Sequence, residues 1–178
     1  MDLPSMDHYH GSRNHAWLCG GLAEWLHSAL GGIRPLGEGF AEVAIEPKVS
    51  TRYGPTSINA SLQTVRGVIH SNWTRFEASS GPSLDGRDAL FTLNIVLPVG
   101  VVARDIVLPL LTPIDDLSNV VVMEGRRELW QGGEPTDYGS MRSVQLEPDA
   151  GGGSASLRMR MGSGQFGLTV FRGRSRAA

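Results

Sequence analysis

Phe91-Thr92-Leu93-Asn94-Ile95-Val96-Leu97 is the stretch that decides the fold. Large apolar side chains stand at every second position, with Thr92, Asn94 and Val96 between them. Successive side chains of an extended chain point to opposite faces, so a period of two marks a strand with one buried face. Similar short runs lie on both sides of it. Towards the N-terminus they are Ala41 to Glu46, Ala60 to Val65, and Val68 to Phe76, the last two split by Arg66-Gly67. Towards the C-terminus they are Ile106 to Leu108, Val120 to Met123, Met141 to Leu146, Leu157 to Met161 and Phe166 to Phe171. Gly-, Pro- and Asp-rich linkers separate them at Ser79 to Asp88, Gly132 to Gly139 and Pro148 to Ser154. About eight or nine short strands at this spacing predict an antiparallel β-sandwich, so the expected class is mainly β.

The chain before Pro35 has a different period. Leu18, Leu22, Trp25, Leu26 and Leu30 recur at helical spacing, which predicts one α-helix over Asn14 to Gly32. Ser12 or Asn14 can cap its start, Gly31-Gly32 supplies a left-handed stop, and Pro35 bars resumption. Gly20 and Gly21 each cost about 1 kcal/mol relative to Ala in a helix interior. They imply a late helix start or the close approach of another backbone. A lone amphipathic helix must bury its apolar face, either on the sandwich or in a helical domain elsewhere. Leu18, Leu22 and Leu26 decide between the two, and Trp25 is expected in a core.

Composition narrows the function classes. The chain has 178 residues, 40% of them hydrophobic, with a formal net charge of −2. That balance supports a packed core and gives no electrostatic footprint for nucleic acid or an anionic membrane. Arg172, Arg174 and Arg176 read as a solvated run. Cys19 is the only cysteine, so no internal disulfide forms. The first ten residues lack the basic and apolar regions of a signal peptide, and no stretch of 18 apolar residues occurs. A cytoplasmic location is therefore the default, and no membrane partner is expected. Asp7, His8, His10 and His15 have metal-ligand chemistry, but they sit in a terminus with no second set of ligands, so neither metal nor cofactor is expected. Trp73 and Trp130, on or beside strands, read as core residues. Asp115-Asp116 and Asp85/Asp88 read as turn formers. Gly162-Ser163-Gly164 reads as a tight hairpin turn, since no helix follows to make it a phosphate loop.

Several stretches in order resemble one family. They are Ser12-Arg13-Asn14-His15-Ala16-Trp17, Gly20-Gly21, Glu24-Trp25-Leu26 and Leu30-Gly31-Gly32-Ile33-Arg34-Pro35. Gly39-Phe40 leading to Ile45-Glu46-Pro47 follows, then Gly67-Val68-Ile69-His70-Ser71-Asn72-Trp73. Phe91 to Pro98, Leu108-Pro109 and Gly162-Ser163-Gly164-Gln165-Phe166 complete the set. This order is similar to the C-terminal portion of bacterial-type α-L-rhamnosidases, inverting glycoside hydrolases with an (α/α)6 barrel and a C-terminal β-sandwich. The resemblance implies that residues 1–35 are the last helix segment of a barrel missing here, and that residues 36–178 are the sandwich domain. It implies a rhamnose-containing glycoside or polysaccharide as substrate, with terminal α-L-rhamnose hydrolysed.

Inverting hydrolysis needs a carboxylic acid and a carboxylate on opposite faces of the sugar, spaced to admit water. The family's glutamates for these roles precede the Asn-His pair. Only Asp2 and Asp7 are acidic before His15, so no catalytic residue is expected on this chain and activity alone is in question. The resemblance gives His15 contact with the sugar hydroxyls, with Asn14 beside it. An imidazole both donates and accepts, which suits a vicinal diol. Trp17 offers an apolar face to the sugar's C–H groups. The alternative from another class is a free-standing, non-catalytic sandwich that binds carbohydrate or protein.

Overall fold

The computed structural model describes residues 18–77, 80–148 and 154–173. Helix α1 (Leu18–Trp25) runs directly into a π-helical turn, Leu26–Leu30. Two sheets follow. The smaller contains β1 (Ile33–Pro35), β2 (Glu42–Ile45), β7 (Val102–Pro109), β12 (Ala155–Met161) and β11 (Gln145–Pro148), in that spatial order. The larger runs β10 (Glu134–Pro135), β9 (Arg127–Gln131), β8 (Val120–Glu124), β13 (Gly164–Gly173), β6 (Arg87–Leu97), β4 (Gly67–Arg75) and β3 (Ser57–Thr64). The two-residue β5 (Ser83–Leu84) pairs with β6 outside that path. Helix α2 (Asp137–Met141) links β10 to β11. The expected antiparallel sandwich is therefore present, with one parallel contact, β2 against β7.

The period of two explains the core. Phe91, Leu93, Ile95 and Leu97 of β6 point inward with Ile69 and Trp73 of β4 and Leu168 and Val170 of β13. Ala103, Ile106 and Leu108 of β7 meet them from the smaller sheet with Leu157, Met159 and Met161 of β12. Trp73 lies 5.8 Å from Phe91, ring centre to ring centre. Trp130 is also buried, as expected.

Three features differ from the sequence reading. Gly162-Ser163-Gly164 is a crossing between sheets rather than a hairpin, because β12 and β13 lie in different sheets. It runs beside the β6-to-β7 crossing, and Ser163 ties the two: its Oγ accepts from Gly100 N at 3.1 Å and donates to Val101 O at 3.2 Å. Met141 to Leu146 is not one strand; α2 ends at Met141 and β11 begins at Gln145. Gly139 allows this, since a Cβ there would overlap the Leu129 carbonyl. Finally, Ser79 to Asp88 and Gly132 to Gly139 are more than linkers, holding β5 and its turn, and β10 with the start of α2.

The sheet edges are guarded. Strands β1, β10 and β11 are short and end in Pro35, Pro135 and Pro148, which cannot extend a ladder. Strand β3 has neither proline nor charge. Arg75 N donates to Thr56 O, so in the alternating antiparallel ladder the odd residues of β3 turn their backbone groups to the free edge. The π turn lies against that edge.

Candidate functional site

The junction between helix and sandwich is built by the π turn. His27 Nε2 lies 3.2 Å from Ser61 O on the β3 edge, and its Nδ1 lies 2.9 Å from Ala23 O. Trp73 Nε1 donates to Leu30 O at 2.7 Å, from inside the sandwich. Lys48 N donates to Ala29 O, and Glu46 N to Gly32 O, both at 2.8 Å. Gly31 permits the approach, because a Cβ there would sit 2.7 Å from the Ala60 methyl. Gly32 has φ of +74°, the left-handed stop expected of it. A groove of about 300 Å³ remains between the turn and β3, lined by Leu26, His27, Leu30, Ile58 and Ala60 among others.

Helix α1 itself stands clear of this junction. Leu22, Trp25 and Leu26 are 57%, 53% and 42% exposed. Trp25 is thus not a core residue, which corrects the expectation. The turn after it closes the sandwich, and no described residue covers the preceding helical face. The Leu18 side chain lies outside the description. Nothing lies within 4 Å of a Cβ placed on Gly21, so no backbone of the described residues approaches there.

The outer face of the smaller sheet is laced with ion pairs. Glu46 bonds Arg34, and also Lys48 at 2.6 Å. Burial works to raise the Glu46 pKa, but Lys48 and then Arg34 outweigh it and hold the carboxyl below the usual range. Arg158 bonds Asp105 at 2.7 Å and Glu147 at 2.8 Å. These two carboxylates raise the guanidinium pKa further, so Arg158 is permanently charged. Arg104 pairs with Glu42 at 2.9 Å. Between these groups a groove of about 210 Å³ is floored by Val107, Pro109 and Ala155. Its one carboxylate, Glu46, is already engaged by two cations, so the groove has no acid–base pair of the kind glycoside hydrolysis needs.

Over β3, β4, β6 and β13 the outer face of the larger sheet is uncharged, and beyond them the row of Thr169 continues to Met123 and Glu128. The strand registers align Ser57, Thr74, Thr92 and Thr169 in one row. The next holds Asn59, Asn72, Asn94 and Gly167, and the third Ser61, His70, Val96 and Gln165. None of these positions is Lys, Arg, Asp or Glu.

The residues singled out for sugar contact, Asn14, His15 and Trp17, lie outside the described residues, as do Asp7, His8 and His10. Among the described residues no His, Cys, Asp and Glu group could hold a metal ion, and no helix is long and apolar enough to cross a membrane. Asp115-Asp116 forms a 3-10 turn, and Asp116 bonds Arg172, which is therefore ion-paired rather than freely solvated. The sequence reading missed His27 and the Arg34–Glu46–Lys48 cluster. Their partners come from turns that carry no periodic signal.

Residues 32–115 match the family model of the bacterial alpha-L-rhamnosidase C-terminal domain. Over that segment, just under half of its length, the chain is similar to that domain family. The matched segment runs from β1 through β7 to the 3-10 turn, while β8 to β13 complete both sheets. A solved structure of Streptomyces avermitilis alpha-L-rhamnosidase complexed with L-rhamnose is similar at 20% identity, with a TM-score of 0.46. The similarity covers 85% of this chain and 11% of that one, so the chain spans about a tenth of that enzyme's length. No curated protein matches the chain.

Proposed function

We propose that this chain serves as the C-terminal part of an α-L-rhamnosidase-like glycoside hydrolase that removes terminal α-L-rhamnose from glycosides or polysaccharides. The observation that carries the reading is the match of residues 32–115 to the rhamnosidase C-terminal domain family. The bare face of α1 supports it. Leu22, Trp25 and Leu26 form an apolar stripe that needs a cover, and the last helix of a helical barrel would have one. In this reading the helical part of residues 1–35 belongs to the barrel, Ile33–Pro35 join it to the smaller sheet as β1, and residues 36–178 brace it. His15 hydrogen-bonds the rhamnose hydroxyls, with Asn14 and Trp17 beside it. The acid and base come from the barrel, not from this chain.

The test is saturation-transfer NMR of L-rhamnose with the full chain and with His15→Ala, together with an aryl α-L-rhamnoside assay. Transfer to the sugar that is lost in the variant, with no hydrolysis by either protein, is the expected result. Equal transfer to both would remove His15 from the sugar site. Hydrolysis by the chain alone would refute the division of labour.

A further inference from the structure

We propose that His27 is a proton-operated clasp, which fastens helix α1 to the edge of β3 when the imidazole is charged and releases it when the imidazole is neutral. Its two ring nitrogens face two backbone carbonyls. Nδ1 lies 2.9 Å from Ala23 O, within the helix, and Nε2 lies 3.2 Å from Ser61 O, on the sandwich. A carbonyl oxygen only accepts. A neutral imidazole carries one N–H, so it satisfies one of the two carbonyls and turns a lone pair on the other. The imidazolium carries two and satisfies both. The shorter contact, to Ala23, holds the remaining proton, and the bond given up is the one to Ser61.

The position of the other ties makes that bond matter. Ala29 O and Leu30 O accept from Lys48 N and Trp73 Nε1, a backbone amide and an indole that do not titrate near neutral pH. They anchor the end of the π turn whatever the pH. From residues 18–28, the bond to Ser61 is the only hydrogen bond among the described residues that reaches the sandwich. Ser61 O has no alternative partner within the sheet, since the odd residues of β3 face the free edge. Loss of the proton therefore leaves α1 hinged on Ala29 and Leu30.

The charges around the turn do not duplicate this device. Strand β3 carries no ionisable side chain. Arg34 of β1, with Glu46 and Lys48, meets the turn at Ser28 and Ala29, and these three are paired among themselves. Cys19 and Glu24 are the ionisable residues of α1, and His70 of β4 stands in register with Ser61. None of them bonds the His27 ring. The second bond exists only in the folded, protonated protein. Its contribution is present at acid pH and is lost as pH rises through the ordinary imidazole range, about 6.5.

The experiment is a long-range proton–nitrogen NMR spectrum of the histidine rings of the full chain at about pH 5 and about pH 8, on either side of that range. Protons on both His27 nitrogens at the lower pH, and on Nδ1 alone at the higher, are expected. Nε2–H as the main form at the higher pH would overturn the proposal, because the Ser61 bond would then survive deprotonation. Thermal melts of the wild type, His27→Gln and His70→Gln at the same two pH values give a second reading. His8, His10 and His15 are common to all three proteins, so their contributions cancel in the comparison. The gap between wild type and His27→Gln should be wider by at least about 2 °C at the lower pH. His70→Gln should keep the wild type's pH dependence. An equal gap at both pH values, or loss of that dependence in His70→Gln, would overturn the proposal.

Discussion

At the scale of single residues, the alternation of β4 put Ile69, Ser71 and Trp73 on one face, and the structure buries all three. Alternation says nothing of what each polar atom then meets. Trp73 finds the Leu30 carbonyl, 43 residues away in sequence, whereas Ser71 Oγ is buried with no partner. A hydroxyl shut away unsatisfied costs roughly 1–3 kcal/mol in desolvation, and removing it leaves only a small void. Ser71→Ala should therefore leave unfolding stability unchanged or raise it by up to about 1 kcal/mol, read as a higher urea midpoint at constant slope. A clear fall would mean that the hydroxyl has a bonding partner. Glu46 carries the pH dependence. Its folded pKa is depressed, so its contribution is present above the ordinary carboxylate value of 4.5 and is lost as pH falls through the folded value. Urea midpoints compared at pH 6 and pH 3.5 should fall further for the wild type than for Glu46→Gln. Equal falls would mean that the Arg34 and Lys48 pairs do not stabilise the fold.

At the scale of elements, the sequence exposed long strands well and short ones poorly. Strands β6, β4 and β13 have enough alternating positions to be read directly. Strands β5 and β10 have two residues each, too few for any period. Their turns were nonetheless legible. Asp85-Gly86, with φ of +50° and +75°, is the pairing that a tight two-residue hairpin demands. Thr136 Oγ1 accepts from Gly139 N at 3.1 Å, an N-cap that announces α2 in a segment read as linker. The helical segment was foreseen, but not its π turn, which depends on contacts with β3, β4 and the chain after β2. That junction rests on Gly32. A side chain there would be forced into a left-handed backbone and into the main chain of Glu46 and Pro47. Gly32→Ala should cost roughly 3 kcal/mol in urea unfolding, the sum of backbone strain and overpacking. A loss below about 1 kcal/mol would show that the π turn and β1 are not anchored as a unit.

At the scale of the whole molecule, the matched segment and the physical unit differ in extent. Strand β13 lies between β6 and β8 in the larger sheet, and β12 lies between β7 and β11 in the smaller. The core of residues 32–115 is therefore closed only by strands that follow it. The sandwich is self-sufficient by this measure, since its core cluster includes no described side chain of α1. The helical face is the part that no described residue covers. Its apolar face was legible as a period in sequence; a period identifies a face and not its cover, so exposure was an expectation of the rhamnosidase resemblance, and Leu22 and Leu26 are exposed. An uncovered stripe containing Trp25 should bind a hydrophobic dye and drive self-association as concentration rises. Leu22→Ser with Trp25→Ser should lower both at least severalfold and move the melting temperature by no more than about 2 °C, since neither side chain contributes to the core. A drop of more than about 5 °C would mean that α1 packs on the sandwich in solution. The chain would then be a self-contained module, and the need for a helical partner, on which the hydrolase reading leans, would disappear.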